Sequence, residues 1–416
     1  MRLLYSLLLY LLLPGVLLRL WINGRRDPGY RRHWRERFGL NAPRSREVIW
    51  VHAVSVGEVR AAEPLVRALQ ARHPGQALLV TVTTPTGRRT VRQLFGDEVL
   101  CCYLPYDLPG AVWRFLAALQ PVMLVVIEIE LWPNLYAGLA ARGVPLYLVN
   151  ARLSEKSLRA YRRLGGLICE TVRSIRHIAA QSETDRARFV QLGARPEGVS
   201  VTGNLKADVR LPDDFHARSQ QLRERLADRQ PVWIAASTHE GEEAVVLEAH
   251  AEVLRHYPQA LLILAPRHPE RAGAVGRQCS GTGFFCRFSS EPAFDGVSVI
   301  IVDELGLLVY CYALADVAFV GGSLVEKGGH NPIEAVVAGA PVISGPDVDN
   351  FADLYAQFLQ AGAAFTVRSA TELSARVLQW FGDAQVRACA VSAGREVAGK
   401  NRGALDRVLA VIDTGR

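Results

Sequence analysis

Glu58 lies in His52-Ala53-Val54-Ser55-Val56-Gly57-Glu58, directly after the apolar run 48–51. A carboxylate there can act as a general base toward a hydroxyl group. It also opens a helix, whose dipole lowers its pKa. Burial must oppose the dipole if the base is to be poised near neutrality. Small residues and Gly57 suit a tight strand-to-helix turn. The same residues also fit an ordinary first-turn glutamate. Two more carboxylates follow the run 123–127, in Glu128-Ile129-Glu130-Leu131-Trp132-Pro133-Asn134. Packing does not need them, and Pro133 suits the first position of a helix. Asn150-Ala151-Arg152-Leu153-Ser154 follows the run 146–149, and Arg152 can hold an anionic group. Gly203-Asn204-Leu205-Lys206 adds a lysine that can reach a ligand or remain on the surface.

The second half repeats the arrangement. Ala236-Ser237-Thr238-His239-Glu240-Gly241-Glu242-Glu243 offers hydroxyls and a helix start, which suit an anion or a plain capping box. Pro266-Arg267-His268-Pro269-Glu270-Arg271 sets a guanidinium beside an imidazole. Gly321-Gly322-Ser323 and Gly328-Gly329-His330-Asn331-Pro332-Ile333-Glu334 form the richest cluster. Its glycines let a backbone approach a ligand closely. Asn331 can cap a helix with Pro332 at its first position. Glu334 can then accept from ribose hydroxyls. The spacing is neither a P-loop nor GxGxxG, which argues against a Walker ATPase or an N-terminal Rossmann dehydrogenase. Asp347-Val348-Asp349 reads as a loop rather than a metal–diphosphate site, and no metal is expected.

These clusters need elements to position them. After residue 46, apolar runs alternate with helical patterns such as 59–71 and 157–173. That alternation predicts α/β structure with parallel, doubly wound sheets. It occurs twice, so two Rossmann-like lobes are expected to face a cleft, with ligands at the carboxyl ends of the strands. The expected division is a membrane anchor over 1–21, a basic segment over 22–46 and a first lobe over 47–207. A linker over 208–230, with a helix at 217–229, leads to a second lobe over 231–416, whose last helix can pack back on the first lobe.

Half of the 416 residues are hydrophobic, which excludes a disordered chain. One long apolar run, at 3–18, excludes a polytopic membrane protein. Pro14 and Gly15 should kink that run. Its readings are an uncleaved anchor that spans the bilayer or lies in its interface, a cleaved signal peptide, or a helix docked on the body. Eight arginines (25, 26, 31, 32, 35, 37, 44, 46) follow it, so the body should stay in the cytoplasm. The chain's net charge is +7, and residues 1–46 alone hold ten Arg against Asp27 and Glu36. The remaining 38 basic and 39 acidic residues nearly cancel. This favours anionic inner-leaflet lipids as a partner and disfavours nucleic acid. Seven scattered cysteines lack zinc spacing and suggest reduced core residues.

HAVSVGE, ELWPN, NARLS, GNLK, STHEGEE, PRHPER, FVGGS and GGHNPIEA, in that order over about 1–360, resemble the 3-deoxy-D-manno-octulosonic acid (Kdo) transferase family. The resemblance implies a GT-B fold and transfer of Kdo from CMP-Kdo to a lipid A precursor on the inner membrane. It implies Glu58 as catalytic base, with Ser55, Gly57, Glu130, Arg152 and Lys206 in the acceptor cleft. It assigns Ser237, Thr238, Arg267, His268, Gly322, Ser323, Gly329, His330, Asn331 and Glu334 to CMP-Kdo. Three positions depart from the family pattern: Ile129 stands for a usual Thr, Leu307 for a usual Glu and Asp347 for a usual His. A GT-B transferase or epimerase acting on another nucleotide sugar is the alternative, and a tethered non-catalytic binding protein is a more distant one.

Overall fold

The computed structural model describes residues 1–43, 45, 47–209, 211–226, 231–279, 285–289, 296–304 and 306–414. Arg44, Arg46, Leu305 and residues 227–230 of the expected helix and linker lie outside the described residues.

The chain divides into two compact units. Unit 1 comprises Met1–Asp208 and Gly403–Arg416, and unit 2 comprises Val209–Arg402. The helix Phe215–Arg225, read from sequence as part of a linker, belongs to unit 2. The last helix, Ala404–Thr414, belongs to unit 1 and buries Val408, Leu409 and Ile412 in its core.

Unit 1 holds a seven-stranded parallel sheet. Its strands are β1 Val48–His52, β2 Leu78–Val82, β3 Leu100–Tyr103, β4 Pro121–Ile127, β5 Leu146–Ala151, β6 His177–Ala180 and β7 Val199–Val201. Their order is β3-β2-β1-β4-β5-β6-β7. β1 and β2 are buried along their whole length, because helices cover both faces of a parallel sheet. Unit 2 repeats the plan with β8 Val232–Thr238, β9 Leu261–Pro266, β10 Phe285–Arg287, β11 Val299–Ile301, β12 Val317–Val320, β13 Val342–Ser344 and β14 Ala364–Thr366. The order there is β10-β11-β9-β8-β12-β13-β14. These are the two doubly wound α/β bodies that a GT-B fold requires.

The strand order reverses between β1 and β4 in unit 1, and between β8 and β12 in unit 2. At such a reversal, the loops leaving the two strands diverge to opposite faces and open a crevice at their carboxyl ends. The loops leaving β1 and β4 carry Glu58 and the Glu128–Glu130 pair. Those leaving β8 and β12 carry Ser237–Glu243 and the paired glycines.

Three local expectations change. The pattern 157–173 forms two helices, Glu155–Arg162 and Gly166–Arg173. Gly165, at φ +55°, breaks them apart. The N-terminal helix runs continuously from Arg2 to Arg26 with Pro14 inside it, five residues past the expected anchor. The cysteines are not uniformly internal: Cys102, Cys279, Cys286 and Cys311 are buried, Cys101 and Cys169 half-buried, and Cys389 exposed.

Candidate active site

In unit 1, Ser55 is the N-cap residue of helix Val56–Arg72, and Glu58 lies in its first turn. The Glu58 carboxylate accepts from the Val54 N–H at 2.7 Å and the Ser55 hydroxyl at 3.3 Å. Burial raises its pKa to about 7, despite those hydrogen bonds, and the charges of Glu128 and Glu130 push the same way. Desolvation therefore outweighs the two hydrogen bonds that favour its charged form. Gly57 is not the turn-former expected from sequence: its φ is not positive, and a Cβ there would meet nothing within 4 Å. A glycine here leaves the first turn beside Glu58 uncovered.

After β4, Glu128 sits at φ +61°. A non-glycine residue in this region costs about 1–3 kcal/mol and persists where its surroundings enforce it. Its Oε1 lies 2.7 Å from Lys206 Nζ. Lys206 thus meets Glu128, the carboxylate that the sequence argument left without a role. Asn150, buried at φ +53°, accepts the Leu205 N–H at 2.9 Å and so seats the lysine turn on the end of β5. Asn204 Oδ1 accepts the Lys206 N–H at 2.9 Å. Glu130 is half-buried, and burial lifts its pKa to about 7. Arg152 follows β5, also half-buried. Unit 1 thus gathers Glu58, Glu128 and Glu130 at one end of its sheet, with both other carboxylates in electrostatic reach of Glu58 and Lys206 paired to Glu128.

In unit 2 the organising residue is Glu242, fully buried. Its Oε1 accepts the N–H groups of Ser323 (3.0 Å) and Leu324 (2.9 Å). Its Oε2 accepts those of Gly322 (2.7 Å) and His239 (2.9 Å). Sequence reasoning missed this role, although the doubled glutamate of STHEGEE was its signal. Glu243, also buried, takes Arg271 at 2.6 Å and the Thr238 hydroxyl at 3.2 Å.

These bonds redistribute the expected roles. The N–H of Gly321 donates to Ala236 O, and that of Gly329 to Gly322 O. The N–H of Gly328 donates to Asp347 Oδ2. The glycine amides therefore brace their own loop, whereas the sequence suggested close approach to a ligand. Gly322, at φ +67°, has room only for hydrogen, since a Cβ would sit 2.9 Å from His330 Nε2. Ser323 is likewise a brace: its hydroxyl donates to Val320 O at 2.6 Å and accepts from Gly345 N at 2.7 Å. Thr238 is buried, with its hydroxyl turned to Glu243. Ser237, at φ +55°, is half-buried. Asn331 accepts the Ile333 N–H at 3.1 Å, and the helix starts at Ile333, one residue later than expected.

His330 and His239 stack with centroids 5.3 Å apart and planes 8° apart, and their Nε2 atoms lie 3.0 Å apart. Burial, then the Arg267 charge, lowers the His330 pKa to about 3. One neutral imidazole donates to the other. His268 meets His239 edge-on at 6.0 Å. Burial raises the pKa of Glu334 and Arg267 lowers it, so the guanidinium lies near both Glu334 and the histidine pair. Arg267, His239, His268, His330 and Glu334 form a polar cluster in unit 2, and His239 was not foreseen in it.

The three departures are also placed. Ile129 packs on the sheet core, Leu307 is buried before a helix, and Asp347 holds the Gly328 amide.

A family model described as 3-Deoxy-D-manno-octulosonic-acid transferase (kdotransferase) matches residues 32–209. The chain is 37% identical over 417 residues to the 3-deoxy-D-manno-octulosonic acid transferase of Haemophilus influenzae, covering 99% of this chain and 98% of that protein. It is 39% identical over 432 residues to the transferase of the same name from Bordetella pertussis, covering 98% of each. Among solved structures, UDP-GlcNAc 2-epimerase from Neisseria meningitidis bound to UDP-GlcNAc matches with a TM-score of 0.59 at 15% identity, over 88% of this chain and 100% of that one. That likeness is one of fold. The identity held across nearly whole chains shows the family: this chain belongs to the 3-deoxy-D-manno-octulosonic acid transferases, which are glycosyltransferases.

Proposed function

We propose that the chain transfers Kdo from CMP-Kdo to a lipid A precursor, lipid IVA, in lipopolysaccharide biosynthesis, with inversion at the anomeric carbon. The observation that carries the mechanism is Glu58, a carboxylate at the β1–β4 reversal whose pKa burial raises to about 7. An acceptor hydroxyl oxygen attacks the anomeric carbon of Kdo while Glu58 takes its proton. The bond from that carbon to the CMP phosphate oxygen breaks, and CMP leaves with the bonding electrons. The transition state resembles an oxocarbenium ion, by analogy with glycoside hydrolysis. Lys206, paired with Glu128, holds the acid-rich end of unit 1 in shape.

On the donor side, Arg267 is the cation for the leaving phosphate, since the glycine amides are already engaged within the loop. The neutral His239–His330 pair and Glu334 supply hydrogen bonds to the nucleotide. A phosphomonoester leaving group needs no metal clamp, so the reaction proceeds without one. The apolar N-terminal helix and its basic flank hold the enzyme on the cytoplasmic face of the inner membrane, against anionic lipids.

Mass spectrometry of lipid IVA incubated with the protein and CMP-Kdo in EDTA tests this reading. Addition of Kdo is expected, with none from UDP-sugars. Turnover of a UDP-sugar alone would favour the transferase or epimerase alternative, and loss of activity in EDTA would contradict metal independence.

A further inference from the structure

The helix Arg2–Arg26 contains a 24-residue stretch long and apolar enough to cross a bilayer, and an 18-residue window within it has a mean hydropathy of 2.0. At 1.5 Å per residue it measures about 36 Å, against about 30 Å of hydrocarbon. Length alone therefore allows crossing, and its attachments decide otherwise. Near its start, Tyr5 is half-buried and its hydroxyl interacts with the Asp107 carboxylate. Ser6, only 8% exposed, shares its hydroxyl between Arg2 O at 2.9 Å and Asn134 Oδ1 at 3.1 Å. Asp107 and Asn134 both belong to the folded interior. Asp107 accepts the N–H groups of Asn134 and Leu135 at 2.9 and 2.7 Å, capping the helix Pro133–Ala140.

The far end is fastened to the same unit. Asp27 follows the helix and pairs with Arg89 at 3.1 Å. Gly29 packs so closely on Pro85 that a Cβ would lie 2.6 Å from it. Tyr103 donates its hydroxyl to Gly29 O at 3.3 Å. Between the two fastenings the helix is bare, with Leu11 69% and Leu18 58% exposed. A crossing helix would place Tyr5 and Asp27 on opposite sides of the bilayer, yet both touch unit 1.

We infer that this helix lies in the plane of an anionic phospholipid surface, latched at both ends to unit 1, and does not cross it. The inference rests on the membrane reading above. Charge at the far end supports the partner. Arg25 and Arg31 flank the Trp21 ring at 4.4 and 5.0 Å. A cavity of about 550 Å³ beside Asp27 is lined by Arg32, Arg88, Arg89 and Arg92, the last three already paired with Glu36, Asp27 and Asp97 but still adding net positive charge with Arg32. Guanidinium groups suit phosphate headgroups, and the bare leucines suit the acyl boundary just below them.

The test uses the full chain with the exposed Cys389 replaced (Cys389→Ser) and Arg2→Cys carrying a nitrobenzoxadiazole label. The parent without Arg2→Cys sets the background. The protein is added to preformed vesicles of phosphatidylethanolamine with phosphatidylglycerol, recovered by flotation and treated with dithionite, which does not cross the membrane. Nearly complete loss of the signal above background is expected before detergent is added. Label protected until detergent would place the N-terminus in the lumen and overturn the in-plane helix while leaving membrane binding intact. Failure to float would overturn membrane binding as well. Leu3→Cys, at an equally exposed position, repeats the measurement should Arg2→Cys fold poorly.

Discussion

Glu58 sits between opposing fields. The first helical turn and the Val54 amide favour its charged form, while burial, Glu128 and Glu130 favour the neutral one. Burial wins, and the pKa rises to about 7. A base must be unprotonated, so the rate should rise with pH and level off above 7. Two units below that value only about 1% of the base is available, so activity at pH 5 should be about a hundredfold below the plateau. Stability runs the other way. The folded chain keeps a proton that the unfolded chain releases near 4.5, so this group's contribution falls as pH climbs through 7. Glu130 also titrates near 7, so it must be told apart. Glu130→Gln should keep the acid limb and move it to lower pH, because a charge that raises the Glu58 pKa has gone. A pH–rate profile of Glu130→Gln that is flat from pH 5 to 8 would assign the limb to Glu130 instead.

At the scale of elements, the loop after β12 depends on one carboxylate from the helix Glu242–His256. Four N–H groups converge on the two oxygens of Glu242. In Glu242→Gln, one pair of amides would face an NH2 group. Each orphaned buried donor costs about 1–3 kcal/mol, so the melting temperature should fall and CMP binding should weaken with it. Thermal unfolding with a CMP titration checks this, and an unchanged melting temperature would remove Glu242 from its organising role. The glycine cluster was legible in sequence as a place of close approach. What approaches is the protein's own side chains, His330 from the loop and Glu242 from a distant helix, and that depends on pairings across about 80–90 residues that no local pattern records. Ser323 and Thr238 show the same limit: a hydroxyl's type is visible in the sequence, but its partner within the fold is not.

For the whole molecule, the alternation of apolar runs and helical patterns announced both α/β units, because buried parallel strands are apolar on both faces. The positions of the clusters after those runs were equally legible. The strand order was not, and only the order shows that Glu58 and Ser237 each lie at a reversal of their sheet. The N-terminal helix gives the same lesson. Its composition suggested a membrane partner, whereas the orientation inferred for it depends on Tyr5 meeting Asp107 and Ser6 meeting Asn134, more than 100 residues away. The excess positive charge of residues 1–46 gathers in sequence around that helix, and the rest of the chain is nearly neutral.

The central claim is that Glu58 removes the proton from the attacking hydroxyl. The most direct test is the single-turnover rate of Kdo transfer by Glu58→Gln, with CMP affinity measured on the same preparation. A rate lower by roughly 100- to 10,000-fold with CMP affinity unchanged is predicted, since the amide can still accept from Val54 but cannot take a proton. Near wild-type transfer by Glu58→Gln would contradict it.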